Sequence, residues 1–427
     1  MVPIINTDKS TIQSLSKDEL IIFHKYYMPN IVPVLILEIL GNLKKAQKNG
    51  LTEQEAVKNL ANKLLPFDDA VNTFHYDLIR GSLSGAQFTM DGRPILNQGR
   101  SVKTDDGKRG IIFEETAEEK ALTRWRDGKF NEADDLLAGR WRESSRNQDL
   151  EKMKHWINQW LEDIPKFNGL DDIMQYVNNL VDIPNQSGLL AFIISQLGVE
   201  QDGPQIFLKW NQAGSPKIIT FAPYAIHCFK VNLFCYLGMI SGFLGTRTTN
   251  SIDMQYLYYL PFAMVFCSND KFHLDVAPFF LKKNQYLIKG SDLKEDLKII
   301  SQLSKQPDGT NCNLDFSLLS DKNSITYKLW DERMAYLPGN EKTRDVPVST
   351  KKKSADRFKD IMDRIKKESQ SETTDEVFGV DEADFVIRKR MMRTNDFCIC
   401  GSGKLFGECC YKGVADKIKE KNQIRRS

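Results

Sequence analysis

Two sets of residues in this chain have types and spacings suited to chemistry. The first is compact. In NDFCICGSGKLFGECCYKG, Cys398, Cys400, Cys409 and Cys410 form a C-x-C-x8-C-C array, with glycines at 401, 403 and 407. Two close thiolate pairs joined by a short, tightly turning loop satisfy one tetrahedral Zn²⁺ without a hydrophobic core. The alternative for these cysteines is a redox pair or unrelated surface thiols. GSGK within the array lacks the preceding glycine and the strand–loop–helix setting of a phosphate loop. The second set is dispersed: Asp8, Glu38, Asp253 and Asp270. Four carboxylates converging on one crevice repel one another unless hard divalent cations neutralise them. Mg²⁺ or Mn²⁺, held by carboxylates, waters and a phosphate, is the usual solution. One or two such ions activate water and stabilise the leaving oxygen of a phosphodiester. Asp8, Asp253 and Asp270 also suit a plainer role as helix-start acids.

The elements that must position these acids read as α/β. The run VPIIN is a strand ending near Asp8, and helical spacing follows from Lys9 to Tyr27. IVPVLILEILGNLKK opens as a strand or tight turn and passes into an amphipathic helix bearing Glu38, with Pro33 in its first turn. Residues 51–80 read as helical, 84–115 as a hairpin or small sheet, and 115–197 as helical again. Beyond these, FLKW and KIITFA read as strands, Ala222 to Phe243 as a buried helix, and Ile252 to Pro261 as a helix opened by Asp253. AMVFCS is a buried strand ahead of Asp270, DKFHLDVAPFFL a helix and QYLIKG another strand. Short apolar strands alternating with helices predict a parallel sheet covered on both faces. Ligands of such sheets bind beyond the carboxyl ends of the strands, where Asp8 and Asp270 stand.

Composition bounds the rest. In 427 residues, 41% hydrophobic and 27% charged, a sizeable core is possible and a wholly disordered chain is excluded. A net charge of +2 requires any nucleic-acid surface to be local. The most apolar stretch, Val231 to Gly245, is shorter than the roughly 20 residues a membrane span needs. MVPIINTDKS lacks the basic region and long apolar run of a signal peptide. Clustered cysteines imply a reducing compartment, so a cytoplasmic protein without membrane contact is expected. The organisation predicted is a core from 1–48 and 205–300, a mainly helical insertion with a small β element at 49–204, and a core-associated segment at 301–338. A charged linker at 339–390 and a knuckle with a basic tail at 391–427 complete the chain.

The cysteine stretch closely resembles the SEC-C motif, best known at the C-terminus of the bacterial preprotein translocase motor. The lead-in ND-x-C-x-C-G-S-G-K matches almost residue for residue, with Phe397 where proline is frequent. That resemblance implies a structural zinc on Cys398, Cys400, Cys409 and Cys410, and recruitment to a ribosome or protein partner. NSIDMQYLYYLPFAMVFCSNDKFH resembles the stretch of the PIN domain in which an Asp opens a helix, a strand follows and Ser/Thr-x-Asp closes it. By that resemblance Asp253 and Asp270 are the third and fourth metal-binding acids, and Ser268 is the small hydroxyl residue before the last. IVPVLILEIL is similar to the segment bearing the family's Glu, making Glu38 the second acid, and INTDKSTIQ makes Asp8 the first. The resemblance implies a Rossmann-like PIN core split by a large insertion, one or two catalytic Mg²⁺ or Mn²⁺ ions, and hydrolysis of RNA. The alternative is a non-catalytic adaptor that recruits a partner through its SEC-C motif.

Further candidates are weaker. Arg124, Arg126, Arg140 and Arg142 flank Trp125 and Trp141, a pattern that holds phosphates and stacks bases, although a helical Trp is more often core. His273 and Asp275 lie one turn past Asp270, at the border of the crevice, while His227 in AIHCF reads as a hydrogen-bonded core residue. Lys351, Lys352, Lys353, Arg425 and Arg426 read as solvated cations, with weak attraction to RNA as their functional role. Cys228, Cys235, Cys267 and Cys312 have no ligand spacing and read as buried thiols.

Overall fold

Ile4 and Ile5, with no polar partner before Asn6, begin a strand that both faces of a layered protein can cover. A computed structural model of the chain describes residues 3–45, 50–64, 69–144, 150–161, 164–304, 323–334, 372–373 and 382–388. Strand β1 (Ile4–Thr7), buried at every position, leads into α1 (Lys9–Ser14), α2 (Lys17–Tyr26), β2 (Met28–Ile31) and α3 (Pro33–Leu40). The helical spacing from Lys9 breaks at Leu15–Ser16, because Ser16 and Glu19 form a capping box that starts α2 afresh. Pro33 opens α3 at a position where its missing N–H is not needed. Next come α4 (Glu53–Ala61), β3 (Ala70–Val71), α5 (His75–Leu83), and the hairpin of β4 (Gly99–Lys103) and β5 (Arg109–Phe113).

A helical stretch follows: α6 (Ala117–Arg126), α7 (Glu132–Ser144), α8 (Leu150–Trp160), α9 (Leu170–Val181), α10 (Gln186–Gln196), α11 (Gly203–Gln212), α12 (Ile218–Phe221) and α13 (Pro223–Ile240). Helix α13 is apolar nearly all round and therefore buried, packing against α5, α8, α9 and α10. The chain then returns to the first sheet through α14 (Asn250–Leu257), β6 (Val265–Ser268), α15 (Lys271–Val276), β7 (Tyr286–Lys289) and α16 (Gly290–Leu303). The last described elements are α17 (Ile325–Met334), β8 (Glu372–Thr373) and β9 (Phe385–Arg388).

Two sheets result. The larger is five-stranded, in the order β3-β2-β1-β6-β7, and parallel throughout, with Ile5 opposite Val265 and Thr7 opposite Cys267. With helices packed around it, this is a Rossmann-like α/β core. The smaller sheet has the order β8-β4-β5-β9. One continuous hydrophobic core joins Ile5 and Phe266 of the parallel sheet to Phe229 and Leu233 of α13, so the helical stretch is not a separate body. Among the described residues, no helix is long and apolar enough to cross a membrane.

Several expectations need correction. FLKW and KIITFA are helical, within α11 and α12, not strands. A short apolar run satisfies a strand and one buried helical turn equally well, and only tertiary packing separates them. Ala70–Val71 falls in the span read as insertion, yet pairs with β2 and extends the parallel sheet. AQFTM is not a strand; the hairpin lies further on, at 99–113. Within the expected charged linker, β8 pairs with β4 and β9 with β5, so that span supplies two strands of the smaller sheet. Cys312, Lys351, Lys352, Lys353, the array of Cys398, Cys400, Cys409 and Cys410, and the basic tail lie outside the described residues.

Candidate functional site

In the parallel sheet, the chain winds from β1 outward through β2 and β3, then crosses back and continues through β6 and β7 on the other side. The winding therefore reverses between β1 and β6. At such a reversal the flanking connections diverge, and the carboxyl ends of the two strands open onto a crevice. Asp8 follows β1 and Asp270 follows β6, one on each side of that point. The two strand ends are joined by the Asp8 backbone N–H donating to Cys267 O at 3.2 Å.

Asp8 is buried and caps α1. Its Oδ1 accepts from Thr11 N–H at 2.8 Å, and its Oδ2 accepts from the hydroxyls of Ser10 and Ser268, both at 2.8 Å. Glu38, near the end of α3, accepts from the Tyr256 hydroxyl at 2.7 Å through Oε2 and faces Lys9 Nζ at 3.7 Å through Oε1. Lys9 is itself fixed, since Nζ also donates to Glu38 O at 3.1 Å and to Asn42 Oδ1 at 3.0 Å. Burial lowers the Lys9 pKa; Glu38 opposes that shift, while Lys45 and Arg142 add to it.

On the β6 side, Asp270 caps α15 by accepting from Phe272 N–H at 2.8 Å. Both its oxygens accept from Arg247 Nη2 at 2.9 Å. Burial works to raise the Asp270 pKa, but the Arg247 and Phe272 hydrogen bonds overcome it and hold the group below the ordinary value. Asp253, in the first turn of α14, differs. Its side chain is 15% exposed, and Arg247 Nη2 stands 3.8 Å from Oδ2, beyond hydrogen-bond distance. That oxygen is buried without a hydrogen-bond partner. Burial first, then the charges of Asp270 and Glu38, push the Asp253 pKa up to about 8, against the opposing pull of Arg247.

Ser268 and His273 tie the two sides together. The Ser268 oxygen accepts from Asp270 N–H at 3.0 Å and lies 2.8 Å from His273 Nδ1. His273 Nε2 faces Asp253 O at 2.9 Å, and because a carbonyl only accepts, that nitrogen carries a proton. His273 is buried against Tyr256 and Phe266, which lowers its pKa, while Asp8 and the Asp253 carbonyl raise it. One serine proton cannot serve both Asp8 and a neutral Nδ1, so the line Asp8–Ser268–His273 is complete only with an added proton. As the side chains stand, no three His, Cys, Asp or Glu groups among the described residues close around one point where a metal ion would fit. Lys9 instead faces Glu38, and Arg247 faces Asp270 and Asp253.

The four acids singled out in the sequence thus face one another electrostatically, with Asp270, Glu38 and Asp8 all raising the Asp253 pKa. Lys9, Tyr256 and Arg247 were not legible as part of the site. Lys9 had its adjacency to Asp8 as a signal; Arg247, in a turn ahead of α14, had none. The tryptophan-flanking arginines separate. Arg124 is engaged by Asp134 at 2.8 and 3.1 Å, and Arg126 is buried beside the core residue Trp125. Arg140 is exposed, and Arg142 stands near Lys9 at the site's edge. Helix α7 comes close there because Gly41 lacks a side chain: a Cβ would meet Trp141 Cδ1 at 3.0 Å. His227 is a core residue hydrogen-bonded to Leu257 O at 3.0 Å, and Asp275 is exposed. Cys228, Cys235 and Cys267 are free and buried. No protein-family model matches the chain, and no curated protein or solved structure matches it.

Proposed function

We propose that the protein is a metal-dependent nuclease with a PIN-like core, hydrolysing RNA phosphodiester bonds at the crevice between β1 and β6. The observation that carries this reading is the Asp253 Oδ2 atom, buried without a hydrogen-bond partner among other carboxylates at the sheet's reversal point. An unpartnered buried carboxylate oxygen is costly, and a divalent cation relieves both its desolvation and the repulsion around it. The oxygen donors Asp8, Glu38, Asp253 and Asp270 suit Mg²⁺ or Mn²⁺ and would hold one or two ions. When bound, the metal supplies a water acidic enough to attack at neutral pH and charge to offset the developing oxyanion.

The chain's own residues support that chemistry by orientation. Ser268 donates to Asp8 and accepts from the Asp270 N–H, Tyr256 orients Glu38, and His273 holds the Asp253 backbone. Lys45 and Arg142 add positive charge near Lys9, the sign needed to receive a phosphate backbone. Cys398, Cys400, Cys409 and Cys410 would hold one structural Zn²⁺ in a SEC-C knuckle that recruits the enzyme to a ribosome or protein partner.

The test is cleavage of labelled RNA by the purified chain with and without Mn²⁺, beside Asp8→Asn, Glu38→Gln, Asp253→Asn and Asp270→Asn. Mn²⁺-dependent cleavage by the parent, lost in all four, is expected. Normal cleavage by all four variants would move the active site elsewhere. A second reading, a non-catalytic adaptor with a scaffold core, is favoured by the pairing of the acids with Lys9 and Arg247. It prevails if the parent cleaves RNA with no divalent metal tried yet still binds a partner through the cysteine knuckle.

A further inference from the structure

We infer that Arg247 is an exchangeable counter-ion of this site, holding the position between Asp253 and Asp270 until a divalent cation displaces it. The inference rests on the metal-site reading above and adds how access to that site is controlled. One nitrogen, Nη2, lies 2.9 Å from each Asp270 oxygen and 3.8 Å from the orphaned Oδ2 of Asp253. A divalent ion held by Asp253 and Asp270 would need the place this positive charge now takes, so the two could not be accommodated together. Guanidinium and metal therefore compete for the same pair of acids.

The two cations of the site differ in how easily they leave. The Lys9 side chain is 14% exposed and tied to the Glu38 backbone and Asn42 as well as to the Glu38 carboxylate. Arg247 is 58% exposed and lies between α13 and α14, in a segment containing Gly242 at φ +80° and Gly245. Moving the Lys9 ammonium breaks a buried network. The Arg247 guanidinium, by contrast, sits on a side chain already largely in solvent. Lys9 is thus permanent, and Arg247 sets the threshold cation concentration at which the site fills.

The test is Mn²⁺ titration by calorimetry, on the chain purified with zinc present, for the parent, Arg247→Ala and Arg247→Gln at one pH and ionic strength. Melting temperatures are recorded with and without Mn²⁺. Removing the competing charge should tighten Mn²⁺ binding about tenfold in both variants, given the strength of a unit charge at this distance discounted for exposure. Without metal, both variants should melt below the parent, because Asp270 loses the two hydrogen bonds and the charge of Arg247, and Mn²⁺ should raise their melting temperatures more than the parent's. Equal or weaker Mn²⁺ binding in both variants, with the parent binding, overturns the inference and leaves the metal site standing. If neither parent nor variants bind Mn²⁺, the metal site falls and the inference falls with it.

Discussion

The two sheets use similar strand lengths to opposite ends. In the parallel sheet every strand runs the same way, so all carboxyl ends share one side and the residues following them gather there. Asp8 and Asp270 are neighbours for that reason alone. In the smaller sheet β4 and β5 are antiparallel, β8 is antiparallel to β4, and β9 is parallel to β5, so strand ends are distributed to both sides. Among the described residues its buried cluster is Val102, Ile112 and Ile387. Parallel geometry concentrates charge and creates a site that needs neutralising. The mixed sheet concentrates nothing; it fastens residues 372–373 and 385–388 to the hairpin at 99–113.

That contrast can be broken most sharply by catalysis. Asp253→Asn and Asp270→Asn should each lower Mn²⁺-dependent RNA cleavage at least about a hundredfold, whereas Ile112→Ala in the small sheet should leave initial rates unchanged. The reverse pattern would put the chemistry on the wrong sheet. Stability should separate the two next. Ile5→Ala, in the central strand, is expected to cost about 2–5 kcal/mol in urea unfolding. Ile112→Ala should fall at or below the low end of that range, losing amide protection in β4, β5 and β9 while β1 stays protected.

A smaller effect follows from the pKa of Asp253, raised from the ordinary carboxylate value to about 8 by burial and its acidic neighbours. Between those two pH values the folded state keeps a proton that the unfolded chain has released, so the slope of stability against pH is negative. Metal-free protein should lose stability as pH rises from about 4 towards 8, and Asp253→Asn should flatten that decline. Thermal melts across the range check it; a parent whose stability rises throughout would show Asp253 ionised. The smallest effect concerns the cysteine array. Cys409→Ser should lower the zinc content from about one ion per chain, as measured by metal analysis, and leave the parallel sheet's unfolding within about 0.5 kcal/mol of the parent's.

Legibility followed local density of signal. VPIIN, AMVFCS and QYLIKG are short, largely apolar runs, and each covers most or all of a strand of the main sheet. Met28–Ile31 contains Pro29, and Ala70–Val71 is only two residues long; neither carries a pattern, and pairing with a neighbour makes them strands. FLKW misleads because Ile206 and Trp210, four apart, are the buried pair, a helical spacing that the shorter run conceals. The acids were visible because their chemistry is rare beside strand ends. Arg247 was not, since nothing in SGFLGTRTTN announces that its guanidinium will meet Asp270, 23 residues onward. Capping explains part of the same site: Asp8 and Asp270 do cap their helices, so the plain role is met in both, and the proposed role would use the same side chains.

Strand β9 has a consequence for reach. It seats Arg388 against Phe113 in register, ten residues before Cys398. A chain spans at most ~3.5 Å per residue, which makes that stretch a leash of about 35 Å. Any ion bound at Cys398 would therefore lie within about that distance of Arg388, where the 64 residues from Met334 to Cys398 would alone allow a span of roughly 220 Å. The register of four residues shortens the span to the cysteine array from 64 residues to ten.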